Sequence, residues 1–368
     1  MGLEIIEKIS HKYGSNPAYV LAGGGNTSYK NEEYLYIKGS GTSLATITKD
    51  GFVKMSREAL ANIWSKSYSR EQDKREAEVL ADMMASKCEG EESKRPSVET
   101  LLHNLFVQPY VLHVHPTMVN GLTCSQDGKN GMENMFPNAI WVEETEPGYT
   151  LACKCRERIA DYERLTGKNA NLLFLQNHGV FFAAYDEKEM DELVSNVIAE
   201  FEKRISTYPD MTAIKADQDK VNKAIDVLKT ICDDGSVINF TLNREVKRLC
   251  STYESFEILV NPMTPDHIVY CKAVPLFVDS VEQVKEKYAE FKTEKCYAPK
   301  IIFVKNLGMF AIGNSEKNAS VVSDVWLDAV KISVYAQSFG GVRHMAPDMV
   351  DFIANWEVEN YRSKVELK

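Results

Sequence analysis

The 368 residues carry 53 acidic against 43 basic side chains, a formal net charge of −10. That balance argues against nucleic-acid binding driven by phosphate neutralisation, while leaving room for a local pocket that takes a small phosphate. With 44% hydrophobic and 26% charged residues, the composition is that of an ordinary soluble protein long enough for two domains. No apolar stretch reaches membrane-spanning length. The start, MGLEIIEKIS, breaks its apolar residues with charges, so it reads as no signal peptide, and Ile6 fails the myristoylation pattern. Eight scattered cysteines without a Cys-x-x-Cys pair suggest reduced thiols in a cytoplasmic compartment.

In chain order, residues 1–14 predict a short amphipathic helix, apolar at Leu3, Ile5, Ile6 and Ile9 and stopped near Gly14. Gly23-Gly24-Gly25-Asn26-Thr27-Ser28 follows. Glycines there would let the backbone approach an anion. The run is not GxGxxG, so it is no dinucleotide fingerprint, and a plain hairpin turn fits it equally. Tyr34–Ile37 predicts a strand leading into Lys38-Gly39-Ser40-Gly41-Thr42-Ser43, where lysine, hydroxyls and glycine suit a phosphate. Met55–Lys66, with Ser56 as N-cap, and Arg70–Lys87 predict helices.

The central stretch is Pro96–Pro116, PSVETLLHNLFVQPYVLHVHP. Ser97 caps a predicted helix with Glu99 near its start, where an acid is also an ordinary partner of the helix dipole. His103, one turn further on, is expected to be structural. His113 and His115 stand two apart in an apolar run; on a strand both imidazoles face the same side and can share one cation. Two surface histidines on an edge strand is the plainer alternative. Asn177-His178-Gly179, inside the apolar LLFLQNHGVFFAA, offers a third imidazole. Three histidines leave one position open for water or substrate, with Glu99 as a general base beside it.

Gly121–Asn138 predicts a loop, Ala139–Val142 a strand, Tyr149–Thr166 a helix ended by Gly167, Leu172–Ala184 a pair of strands, and Lys188–Thr207 a long helix. The second half echoes the first. Leu172–Phe181 aligns with Ile301–Phe310 at an offset of 306 − 177 = 129, and a long helix follows each. A second alignment sets Tyr110–His115 against His267–Lys272 and would replace the three histidines by Tyr270, Lys272 and Leu307. The expected organisation is a first domain over 1–212, a linker within Tyr208–Gln218, and a smaller degenerate copy over 213–368.

Four motifs together resemble the class II aldolase/adducin family: Gly25-Asn26-Thr27-Ser28, Ser40-Gly41, Ser97-Val98-Glu99, and His113-Val114-His115 with Asn177-His178-Gly179. The wider match is most similar to the aldolase part of long rhamnulose-1-phosphate aldolase/dehydrogenase proteins, with no dinucleotide motif up to Lys368. The resemblance implies a layered α/β/α domain with a mostly antiparallel sheet, and Zn2+ or another divalent metal on His113, His115 and His178. Glu99 would be the base, and a ligand while substrate is absent; Gly25, Asn26, Thr27, Ser40, Gly41 and Ser97 would hold a phosphate. It further implies a homo-oligomer in which a neighbour's tyrosine serves the aldehyde end, and aldol cleavage of a ketose 1-phosphate such as rhamnulose or fuculose 1-phosphate. The partner expected is thus a small sugar phosphate, with neither nucleic acid nor membrane. One departure is Val98, where the short fuculose-phosphate enzymes have a second serine. Epimerases, dehydratases and decarboxylases share such a site, adducin-like members keep the fold without catalysis, and a closed structural zinc site is a further alternative.

Overall fold

The computed structural model describes residues 2–356. The chain divides into two compact units, the first taking the chain to Thr123 together with Gly128–Arg204, the second Cys124–Asp127 together with the chain from Ile205 onward. The eight cysteines are free thiols. No helix among the described residues is long and apolar enough to cross a membrane.

The first unit begins with α1 (Gly2–Gly14), β1 (Asn26–Lys30), β2 (Tyr34–Lys38) and β3 (Phe52–Ser56). Then come α2 (Arg57–Ile63), α3 (Gln72–Ala85), α4 (Thr100–Leu105) and β4 (Tyr110–Val114). It continues through α5 (Thr117–Thr123), α6 (Gly128–Met135), β5 (Ile140–Val142) and α7 (Tyr149–Thr166), and closes with β6 (Leu172–Leu175), β7 (Gly179–Ala184) and α8 (Glu187–Arg204). Among the described residues its sheet runs in the order β3-β2-β1-β4-β7-β6-β5. Only the β5–β6 pair is parallel. Strand side chains alternate between faces. One face, with Leu35, Ile37, Val111, Leu173 and Phe181, packs on the apolar sides of α2, α3, α4 and α7. The other meets α1, α5 and α8, where Phe174 lies against Phe136 and Phe201. Sheet between two helical layers is the α/β/α arrangement expected.

Local signals hold where burial and capping agree. Ser56 caps α2, its hydroxyl accepting from the Ala59 N–H at 3.2 Å, while Met55 belongs to β3 rather than to the helix. Gly167 ends α7 in the left-handed conformation, φ 67°. Gly121–Asn138 is not a loop. It holds the end of α5 and all of α6, with Leu122 and Met132 buried. Packing outweighs the weak helix propensity of its Asn, Gly and Thr residues.

The second unit consists of α9 (Gln218–Ile231), β8 (Val237–Thr241), α10 (Arg244–Leu249), α11 (Tyr253–Phe256), α12 (Pro265–Cys271) and β9 (Leu276–Val278). It ends with α13 (Val284–Lys295), β10 (Ile301–Val304), β11 (Gly308–Gly313), α14 (Glu316–Tyr335) and α15 (Pro347–Asn355). Its sheet has the order β8-β11-β10-β9. Among the described residues only β9–β10 is parallel, so order and sense match β4-β7-β6-β5 of the first unit. The bonds that seat the hairpin turns match as well. Gln176 N–H donates to Val142 O and Lys305 N–H to Val278 O, both at 2.9 Å; Asn177 N–H donates to Thr123 O at 2.9 Å, Asn306 N–H to Cys250 O at 2.8 Å.

One expectation fails. His267–Lys272 is no counterpart of β4: Pro265–Cys271 is a helix opened by Pro265 and a Thr264–His267 capping box. The strand in that role is β8, since His113 pairs with Phe181 as Phe240 pairs with Phe310. A short apolar run does not separate strand from helix by periodicity; proline at the first helical position does.

Asn177 and Asn306 occupy the left-handed region, φ 55° and 57°, which asparagine tolerates and β-branched residues do not. Asn306→Val is expected to lower the stability of the chain by roughly 1–2 kcal/mol, read from urea unfolding followed by circular dichroism.

Candidate metal centre

Residues from three neighbouring strands line up at one end of the first sheet. In register, Asn26 on β1 faces His113 on β4, and His113 faces Phe181 on β7. Phe181 stacks on the His113 imidazole, centroids 4.1 Å apart. His113 is fully buried, and its Nδ1 lies 3.0 Å from the Val180 carbonyl oxygen. A carbonyl only accepts, so Nδ1 carries the hydrogen and Nε2 the lone pair. His115, just past β4, brings its Nε2 to 3.0 Å from His113 Nε2. His178 reaches the same point from the β6–β7 turn, its ring centroid 5.1 Å from each of the other two. The ligand atoms of the three histidines lie within 4.8 Å of one another.

Glycine makes the room. A Cβ on Gly179 would stand 2.6 Å from His115 Cδ2 and 2.7 Å from Val114 O. Gly25, at φ +68°, lets β1 approach to where a Cβ would lie 2.7 Å from His113 O. Gly179→Ala should therefore cost about 1–3 kcal/mol by overpacking and displace the rings. Thermal unfolding together with a Zn2+ titration checks both effects.

Glu99 precedes the six-residue α4 and leaves the cap unused: its side chain makes no capping bond. Ser97 is not the helix cap expected; its hydroxyl accepts from the Glu99 N–H at 3.2 Å. The carboxylate is thereby free to turn inward. Glu99 is 7% exposed; Oε1 lies 3.4 Å from His113 Nε2 and 3.5 Å from His178 Nε2 and has no hydrogen-bond partner. A buried acceptor left in that state costs free energy unless a cation or proton serves it. Donor atoms on a tetrahedral zinc centre lie about 3.3 Å apart when bonds are about 2 Å. The three imidazoles with Glu99 Oε1 fit a divalent metal ion by spacing and by donor chemistry.

The second unit supplies an internal comparison. By strand register and turn position, Phe240, Leu242 and Leu307 stand where the first unit has His113, His115 and His178. Leu307 belongs to that unit's apolar core, and Phe240 packs against the same core. The strand frame therefore closes over carbon without difficulty, and the histidines are not needed to build it.

The stretches expected to hold a phosphate converge beside Glu99. Ser40 N–H donates to Arg95 O at 2.8 Å and Ser97 N–H to Lys38 O at 3.1 Å, which ties Ser40-Gly41 to Ser97. Lys38 is 4% exposed and its Nζ donates to Gly23 O at 3.4 Å, linking in the glycine run. Asn26 joins the site through its amide, Nδ2 donating to Glu99 Oε2 at 2.5 Å. Thr27 does not join it. Strand alternation turns it to the opposite face, where its hydroxyl bonds Ser10 of α1.

Two further participants were not expected in the site: Ser28 stood only within the glycine motif, and His103 was expected to be structural. Ser28 and His103 form a bonded pair, Oγ to Nδ1 at 2.8 Å, and His103 Nε2 meets Asn26 Oδ1. The available signals were Asn26 and Ser28 sharing a strand face, and His103 one turn beyond Glu99.

Comparison with known proteins agrees with the motifs. The uncharacterized oxidoreductase YuxG of Bacillus subtilis (strain 168) is 23% identical over 413 aligned positions, covering 98% of this chain and 58% of that protein. The chain thus spans little more than half the length of this curated relative. Among solved structures, the N-terminal class II aldolase domain of a conserved Thermoplasma acidophilum protein is 25% identical with a TM-score of 0.46, covering 55% of this chain and 93% of that one. The L-fuculose-1-phosphate aldolase of Thermus thermophilus is 14% identical with a TM-score of 0.33, covering 55% of this chain and 90% of that one. The family described as the class II aldolase and adducin N-terminal domain matches residues 8–200, slightly more than half of the chain, and the protein belongs to that family.

Proposed function

We propose that the chain is a zinc-dependent aldolase that cleaves a ketose 1-phosphate reversibly to dihydroxyacetone phosphate and an aldehyde. The observation that carries this reading is Glu99 Oε1, buried without a hydrogen-bond partner on the open side of His113, His115 and His178. Those three imidazoles would hold the cation. When bound, it would supply Lewis-acid stabilisation of the negative charge that cleavage puts on the ketose oxygens.

The remaining work falls to side chains. Glu99 Oε2 is tied to Asn26, so Oε1 is the oxygen that returns a proton to the carbon next to the carbonyl after cleavage, or removes it in the synthetic direction. The loop at Ser40-Gly41 and the Ser97 hydroxyl would anchor the phosphate, so that binding energy far from the broken bond positions the reacting carbons. Val98, half-buried beside Ser97, offers no hydroxyl, so the phosphate rests on Ser97, Ser40 and backbone N–H groups. A homo-oligomer in which a neighbouring copy closes the aldehyde end completes the site.

The test is a coupled assay for dihydroxyacetone phosphate on rhamnulose 1-phosphate and fuculose 1-phosphate, before and after EDTA and after Zn2+ is restored. Cleavage lost to chelator and recovered with metal is expected. Activity indifferent to EDTA, or none on any ketose 1-phosphate, contradicts the proposal.

A further inference from the structure

A continuous line of buried polar groups runs away from Glu99. Asn26 Nδ2 donates to Glu99 Oε2, Asn26 Oδ1 meets His103 Nε2, and His103 Nδ1 meets the Ser28 hydroxyl at 2.8 Å. Ser28 and His103 are fully buried, and Asn26 and Glu99 are each 7% exposed. Lys30 fixes the far end, its Nζ donating to His103 O at 2.9 Å. The His103 ring also packs edge-on against Phe181, centroids 5.4 Å apart, and Phe181 in turn stacks on His113.

The line has only one self-consistent polarity. His103 is fully buried and its ring nitrogens face an amide and a hydroxyl rather than a carboxylate; a charged ring there would go unpaired, so it carries a single N–H. Asn26 gives its nitrogen to Glu99 and so turns its oxygen to His103. An amide oxygen can only accept, so the His103 hydrogen sits on Nε2. Nδ1 is then the lone-pair nitrogen and accepts from Ser28. Hydrogens point step by step from Ser28 toward Glu99, which ends the line as a pure acceptor.

We infer that His103 is a positioning residue: acting through Asn26, it keeps an N–H donor aimed at Glu99 Oε2, so that Oε1 alone presents its lone pairs to the three histidines. This rests on the reading of Glu99 given above. Turned over, the Asn26 amide would set its oxygen against the Glu99 carboxylate and its nitrogen against the His103 N–H; a His103 that only filled the core would leave the second of these constraints out.

Two measurements test the relay. In the metal-free protein, long-range 1H–15N correlation spectra of the histidine rings, with His103 assigned by its loss in His103→Gln, should show the neutral tautomer protonated on Nε2. Protonation on Nδ1 overturns the relay. In the second, Co2+ is titrated into the wild type, His103→Leu, His103→Gln and Ser28→Ala, and affinity and visible spectrum are followed. His103→Leu should bind Co2+ about 10-fold more weakly, with an altered spectrum: the low end of the range for losing a ligand's own partner, because His103 acts on Glu99 through Asn26. His103→Gln, which retains a donor and an acceptor, should recover most of that loss. Wild-type affinity and spectrum in a folded His103→Leu protein overturn the proposal. Should His103→Leu not fold, Ser28→Ala, which frees the tautomer with less disturbance, must show weakened binding, and unchanged binding there overturns the proposal equally. If the wild type takes up no Co2+, the metal reading fails, while the tautomer measurement still decides the relay.

Discussion

Glu99→Gln is expected to lower kcat for ketose 1-phosphate cleavage by about 10²- to 10⁴-fold, the range that a positioned acid–base group contributes. The substitution keeps the size of the side chain and its approach to Asn26, but removes the basic oxygen that faces His113 Nε2 at 3.4 Å and His178 Nε2 at 3.5 Å. All three imidazoles remain, so the variant should still take up one equivalent of metal. Steady-state assays beside metal analysis separate the two effects. A rate within tenfold of wild type, with metal bound, would mean that another group moves the proton.

His178→Ala should lose metal binding and activity together. His178 lies in a turn after Asn177 and contributes little to the sheet, and the matching turn in the second unit carries Leu307 without harm to its packing. The loss should therefore appear as affinity rather than as unfolding. Removing one of three protein ligands should weaken Zn2+ binding by more than the 10- to 100-fold typical of a change behind the ligands, measured by competition with a chromophoric chelator. An unchanged melting temperature in the metal-free variant would confirm that the residue serves the site and not the frame. A Zn2+ affinity equal to wild type would remove His178 from the centre.

Much of this architecture was legible in the chain because several signals coincided. The β6–β7 hairpin combined an apolar run with an Asn-x-Gly turn, and α7 combined amphipathic spacing with Gly167 as its stop. The matching of Leu172–Phe181 with Ile301–Phe310 fell on two hairpins with the same anchoring bonds. Where one signal stood alone it misled. The Asn- and Gly-rich stretch Gly121–Asn138 reads as loop by propensity, yet its helices are stabilised by burying Leu122 and Met132. The apolar residues of α12 resemble a strand until Pro265 and the Thr264 cap are weighed. In the site, the two-residue spacing of His113 and His115 was informative because it is local. The partnership of His103 with Asn26 was not, because it spans 77 positions and depends on α4 lying across β1. Thr27 shows the same limit. A motif names its residues together, while the strand sends Asn26 and Ser28 to one face and Thr27 to the other.

The most direct measurement is X-ray absorption spectroscopy at the zinc edge on protein loaded with one equivalent of Zn2+. The expected spectrum shows one ordered ion with three imidazole nitrogens and one oxygen at about 2.0–2.1 Å, reduced by one imidazole in His178→Ala and by one oxygen in Glu99→Gln. Sulfur ligation from the cysteines, or a shell left unchanged by both substitutions, would place the metal elsewhere and contradict a centre built from His113, His115, His178 and Glu99.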